Sequence, residues 1–166
     1  MPDKRTIEKA RRDKREGKSA STQAGEFVRE EIDKIRRGEH GARSAKQVIA
    51  IGLSEARRAG VDLPPPKSGQ TTERTRRSAE YAYEAGQGVR KTKRRPRVPR
   101  AVTKALKREP RSTASRKALS RQAHSAAARR TAAERSASAR KAARTKGAAG
   151  RSAAAKKGAR TRARRR

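Results

Sequence analysis

The sequence predicts a mainly α protein in two parts: a small N-terminal helical module followed by a long basic tail, disordered or loosely helical when free. Three observations carry this. Apolar residues recur at helical spacing only in the first half, and no alternating strand pattern is visible. Charge is split unevenly: residues 1–66 hold 16 Lys+Arg and 11 Asp+Glu, residues 67–86 hold 4 and 3, and residues 87–166 hold 29 and 2. Of the net charge of +33, +27 therefore lies in the last 80 residues. Finally, hydrophobic residues make up 31% of the chain and aromatics 2%. That leaves little apolar area to offset chain entropy in the second half.

The elements follow in order. Residues 3–16 read as a first helix with only Ile7 and Ala10 to bury. "STQAGEFVREEIDKIRRG" reads as a second, with Ser21 or Thr22 as N-cap and Gly38 as its stop. Ala24, Val28, Ile32 and Ile35 share one face, with Phe27 at its edge. "SAKQVIAIGLSEARRAG" reads as a third, opened by a Ser44–Gln47 capping box and closed by Gly60. Its stripe of Ala45, Val48, Ile49, Gly52 and Ala56, followed by Ala59 and with Leu53 nearby, suits close helix packing. The three prolines 64–66 make a stiff spacer, residues 64–70. A short helix follows in residues 71–86, where Tyr81 and Tyr83 read first as packing residues and second as base-stacking platforms. The expected boundaries are thus a module at 1–63, the spacer at 64–70, the short helix at 71–86 and the tail at 87–166. Pro96 and Pro99 are expected to interrupt regular structure at its start.

The tail is rich in alanine, arginine and lysine, all good helix formers. Eleven bases against one acid, Glu134, in residues 111–146 oppose a helix by self-repulsion. Neutralisation by phosphate would relieve that repulsion, so folding on binding is expected. The bases lie on all sides of a helical wheel, whereas a membrane-surface helix needs an apolar face opposite its charges. The expected nucleic-acid contacts are Arg90, Lys91, Lys93, Arg94, Arg95, Arg97, Arg100, Lys104, Lys107, Arg108, Arg116, Lys117, Arg121, Arg129, Arg130, Arg140, Lys141, Arg144, Lys146, Arg151, Lys156, Lys157, Arg160, Arg162, Arg164, Arg165 and Arg166. Irregularly spaced bases among Ala and Ser suit sequence-independent phosphate contact rather than base reading.

Catalysis finds no support. His40 and His124 stand in different segments and read as surface histidines, and no phosphate-binding loop or dinucleotide fingerprint is present. There is no cysteine, which excludes disulfides and thiolate metal sites. No cofactor is expected. The charged start does not read as a secretory signal, and no run is long enough to span a membrane. The expected location is the cytoplasm, in a bacterial nucleoid.

"GARSAKQVIAIGLSEARRAGVDLPPP", residues 41–66, resembles a small proteobacterial domain family of unknown function with a Ser-x-Lys-Gln-x-Ile-Ala-Ile-Gly-Leu-Ser-x-Ala-Arg core. The resemblance extends across residues 3–90, and members are commonly labelled DNA-binding or plasmid-stabilisation proteins. The tail resembles histone H1-like bacterial proteins, although arginine is more prominent here. Together these imply a non-enzymatic, sequence-tolerant DNA-binding or DNA-condensing protein of the nucleoid. Two alternatives stand beside it: an RNA- or ribosome-associated protein, and a plasmid-maintenance adaptor whose specificity lies in the N-terminal helices. DNA is the expected partner ahead of RNA, with no membrane, and residues 21–60 are a candidate self-association surface.

Overall fold

The computed structural model describes residues 2–90 and 97–164, residues 97–99 by their backbone alone. Among the described residues the chain forms seven α-helices and one short 3-10 turn. It divides between Gln122 and Ala123 into two units. The first holds α1 (Lys4–Arg15), α2 (Ala20–Arg37), α3 (Ala45–Arg58), α4 (Glu73–Gly86), α5 (Arg97–Lys107) and the 3-10 turn (Arg111–Ala114). Helix α6 (Arg116–Ala128) crosses the boundary, and α7 (Ala132–Ala163) lies in the second unit.

Local chemistry sets the helix ends. The Asp3 carboxylate accepts from the Arg5 N–H at 3.1 Å and caps α1. The N-cap of α2 is Ser19, two residues ahead of the expected position, and its hydroxyl is engaged by those of Ser21 and Thr22 at 3.0 Å each. Gly38 ends α2 in the left-handed conformation. At α3 the Ser44 hydroxyl accepts from the Gln47 N–H at 3.2 Å, while the Gln47 side chain accepts from the Arg43 N–H at 2.8 Å. The capping box is therefore offset by one residue on its return bond.

The first unit packs two small cores. One joins Ala10, Ala24, Phe27, Ala56 and Val61, flanked by Ile7, Leu53 and Leu63. The other joins Ile35, Ala42, Val48 and Ala114, flanked by Ile32. Phe27, Ile35 and Val48 are fully buried, each contributing roughly 1.5–3 kcal/mol. With so few large side chains, the helices gain contact by approaching closely. At Gly52 an added Cβ would sit 2.6 Å from the Val28 Cα, so α2 and α3 meet backbone to side-chain-free backbone. The buried guanidinium of Arg57 donates to the carbonyls of Leu63 (3.1 Å) and Pro64 (3.3 Å), fixing the start of the proline spacer. Tyr83 donates to Asp62 at 2.7 Å and ties α4 to the segment just ahead of that spacer.

Part of the basic half belongs to this packing. The Gly41 N–H donates to the Leu106 carbonyl (2.9 Å), the Ala42 N–H to the Pro110 carbonyl (3.2 Å), and the Arg36 Nε to the Ala114 carbonyl (3.1 Å). Pro99 does not end regular structure; it sits in the first turn of α5, where its missing N–H is not needed.

The expectation of a disordered or loosely helical tail is wrong. Helices α5, α6 and α7 run through the basic half as far as Ala163. Alanine and the straight-chain bases favour helix at nearly every position of α7. Its start is fixed by a full capping box, in which Thr131 accepts from the Glu134 N–H and the Glu134 carboxylate accepts from the Thr131 N–H at 2.8 Å. Bases spread around the axis keep like charges apart, so propensity outweighs repulsion. A single non-helical residue, Gly147 at φ 63° and ψ 176°, breaks α7 into two rods.

The close approach at Gly52 yields a test. Gly52→Ala should lower the unfolding free energy of the full chain by about 1–3 kcal/mol, as overpacking does, measured by urea denaturation. An unchanged midpoint would mean the two helices do not meet there.

Candidate nucleic-acid interface

The helices of the basic half bury almost nothing, so they display their bases. Arg100, Lys104, Lys107 and Arg108 lie on or just after α5; Arg116, Lys117 and Arg121 on α6; Arg129 and Arg130 between α6 and α7. Arg140, Lys141, Arg144 and Lys146 lie on the first rod of α7, and Arg151, Lys156, Lys157, Arg160 and Arg162 on the second, with Arg164 as C-cap. Every base from Arg100 to Arg164 is exposed. Among the described residues none of them takes part in an ion pair. Arg111, in the 3-10 turn, and Arg135, on the first rod of α7, are exposed as well and join this set, although they are not among the expected contacts. Lys91, Lys93, Arg94, Arg95, Arg165 and Arg166 lie outside the described residues, as does the side chain of Arg97.

Arg90 differs from these. Its Nε donates to Glu84 at 2.7 Å, and its guanidinium lies 5.1 Å from the centre of the Tyr81 ring. Its charge is thus shared with a carboxylate and an aromatic face. Tyr81 remains exposed at 41%, whereas Tyr83 is half-buried and bonded to Asp62.

The expected packing residues are brought together in the first unit. Phe27, Ile35, Val48, Gly52 and Ala56 are buried; Val28, Ile32, Ile49 and Leu53 are half-buried. Between α3 and α4 a groove of about 570 Å³ is lined by Ile49, Leu53, Pro64, Pro66 and Ala79, with Lys46 and Arg74 at its edge.

A second set of titratable groups lies under the loop that follows α2. Glu31 is 2% exposed and its Oε1 lies 3.4 Å from the His40 Nε2. Lys34 pairs with Glu30 at 2.6 Å and approaches Glu55 at 3.9 Å. Burial raises the Glu31 carboxyl above the usual carboxylate range, against the field of His40 and with that of Glu55. Burial opposes the Lys34 charge, yet its bond to Glu30 and the nearby carboxylates still raise its pKa. His40 is therefore no surface histidine: its side chain is 15% exposed and its ring also reaches the Gly41 carbonyl at 3.0 Å. His124, on α6, is exposed. Among the described residues no group of acids and histidines could hold a metal ion, and no helix is long and apolar enough to cross a membrane.

Residues 11–67 match a family of unknown function (DUF6496). The match covers α2 and α3 with the end of α1 and stops before the basic half. No curated protein and no solved structure matches the chain.

The buried carboxylate gives a pH test. A raised folded-state pKa means that Glu31 favours folding when protonated and loses that contribution as pH rises through the raised value. Glu31→Gln copies the protonated form. It should melt higher than the parent chain near pH 7, with the gap closing towards about pH 4. Melting curves at both pH values decide it; a variant less stable at both would mean the ionised Glu31–His40 pair stabilises the fold.

Proposed function

We propose that the chain is a non-enzymatic, sequence-tolerant DNA-binding protein of the nucleoid type, which holds duplex phosphates along its basic helices. The observation that carries this reading is the display of exposed bases from Arg100 to Arg164, none of them in an ion pair among the described residues, with only Glu109 and Glu134 as acids in that stretch of sequence. A duplex carries one phosphate charge per ~1.7 Å of axis and releases counterions when cations approach it. Arginine adds bidentate hydrogen bonds to phosphate oxygens. Helices lacking aromatic platforms suit a duplex better than single strands, whose binding leans on base stacking. The N-terminal helices serve as a compact head. An adaptor role for that head, through self-association or partner docking by residues 21–60, would use the groove beside Ile49 and Leu53.

The test is crosslinking in cells followed by sequencing of the attached nucleic acid. The expected product is DNA, recovered broadly across the genome. Recovery dominated by RNA would transfer the same chemistry to an RNA partner, and recovery at a few sites would assign sequence reading to the head.

A further inference from the structure

The second unit contains a repeat. Residues 131–146, "TAAERSASARKAARTK", and residues 147–162, "GAAGRSAAAKKGARTR", are identical at 10 of 16 positions, and two more exchange Lys for Arg. Each copy carries five bases at the same offsets: Arg135, Arg140, Lys141, Arg144 and Lys146, then Arg151, Lys156, Lys157, Arg160 and Arg162.

The structure repeats with the sequence. Each copy opens on a residue outside the helix, Thr131 with ψ 160° and Gly147 with ψ 176°. The fifth residue of each copy bonds backward across that break: Arg135 Nη1 donates to the Arg130 carbonyl at 2.5 Å, and Arg151 Nη1 to the Ala143 carbonyl at 2.8 Å. Thr145 donates to the Lys141 carbonyl at 2.9 Å, and its counterpart Thr161 to the Lys157 carbonyl at 3.0 Å. The copies differ at their caps, where the Thr131–Glu134 box has Gly147 and Gly150 in its place, at Ser138/Ala154 and Ala142/Gly158, and in the reach of the backward bond, which spans five residues from Arg135 and eight from Arg151.

Within one copy the bases are ordered in a way the whole segment hides. At about 100° per residue, Arg140, Lys141 and Arg144 fall within an arc of about 100°. Lys156, Lys157 and Arg160 fall on the same arc of the second rod. From the first to the last base of each stripe the helix rises about 6 Å, close to two phosphate steps of one strand. In an unbroken helix a 16-residue period would turn the second stripe about 160° away from the first. One duplex could not then meet both. Gly147 removes that constraint, and its φ of +63° disfavours any residue with a Cβ although no atom lies within 4 Å of one added there.

We propose that residues 131–146 and 147–162 are two equivalent phosphate-binding units, jointed at Gly147 so that both stripes engage one DNA duplex. This rests on the DNA-binding reading above and sharpens it to a valency.

The experiment is a salt titration of full-chain variants on one duplex of about 30 base pairs, with the slope of log affinity against log salt as readout. R140Q/K141Q/R144Q and K156Q/K157Q/R160Q should each flatten the slope by about 3, and their combination by the sum. R116Q/K117Q/R121Q, which removes the same charge outside the repeat, should flatten it by less than half as much. Gly147→Ala keeps every charge and lets the helix run on, so it should flatten the slope as much as losing one stripe. Unequal effects of the two stripes, a control as damaging as either, or an unaltered slope in Gly147→Ala would each overturn the proposal while leaving DNA binding in place. A parent chain with no affinity for the duplex would remove the DNA-binding reading and the proposal together.

Discussion

Residues 87–166 carry a net +27 and almost no large apolar side chain, and that imbalance governs the rest of the structure. A chain of this kind gains nothing by burying itself. Its backbone polar groups must still be satisfied, and the helix satisfies them locally. Alanine allows this at the least entropic cost, and the bases are left outside. The result is a helical surface whose charge the fold does not consume. The same imbalance explains why so little of the basic half joins a core. Among the described residues only Leu106 to Ala114 does so, largely through backbone carbonyls.

The head solves a different problem with few materials. Three fully buried large apolar side chains cannot hold four helices by area alone. Small residues let α2 and α3 approach, and Arg57 and Tyr83 secure the proline spacer and the segment just ahead of it. A buried ionic cluster around Glu31 and Lys34 then costs desolvation, which hydrogen bonds and opposite charges partly offset. That cluster lies beside the 38–44 loop on which the 106–114 segment docks, so charge and backbone pairing together join the two halves of the first unit.

The four helices of the head were legible from apolar spacing and from punctuation where the sequence carries it. Ser44, Gly38 and Gly60 mark ends, and Ala24, Phe27, Ile35, Val48 and Ala56 mark faces, whereas the caps at Asp3, Ser19 and Thr72 emerge only in the structure. Other features were not. Docking of the Ala114 segment depends on carbonyls, which carry no sequence signature. Burial of Glu31 and His40 depends on tertiary neighbours rather than on spacing. In the tail, repulsion between bases argues against helix, but alanine propensity and the Thr131–Glu134 capping box outweigh it. The exposed bases themselves needed only composition to find. Their division into two copies needed the segment aligned with itself at an offset of 16, and Gly147 was the visible mark of it.

In the proposed function, charge and not base reading drives association with duplex DNA. The most direct measurement is a salt titration of the unmodified chain on two unrelated duplexes of equal length. With on the order of 10–20 phosphates engaged, the slope of log affinity against log salt should be roughly −9 to −18. The two duplexes should bind alike. A shallow slope, or a preference for one duplex of more than about a hundredfold, the discrimination that specific base contacts supply, would contradict it.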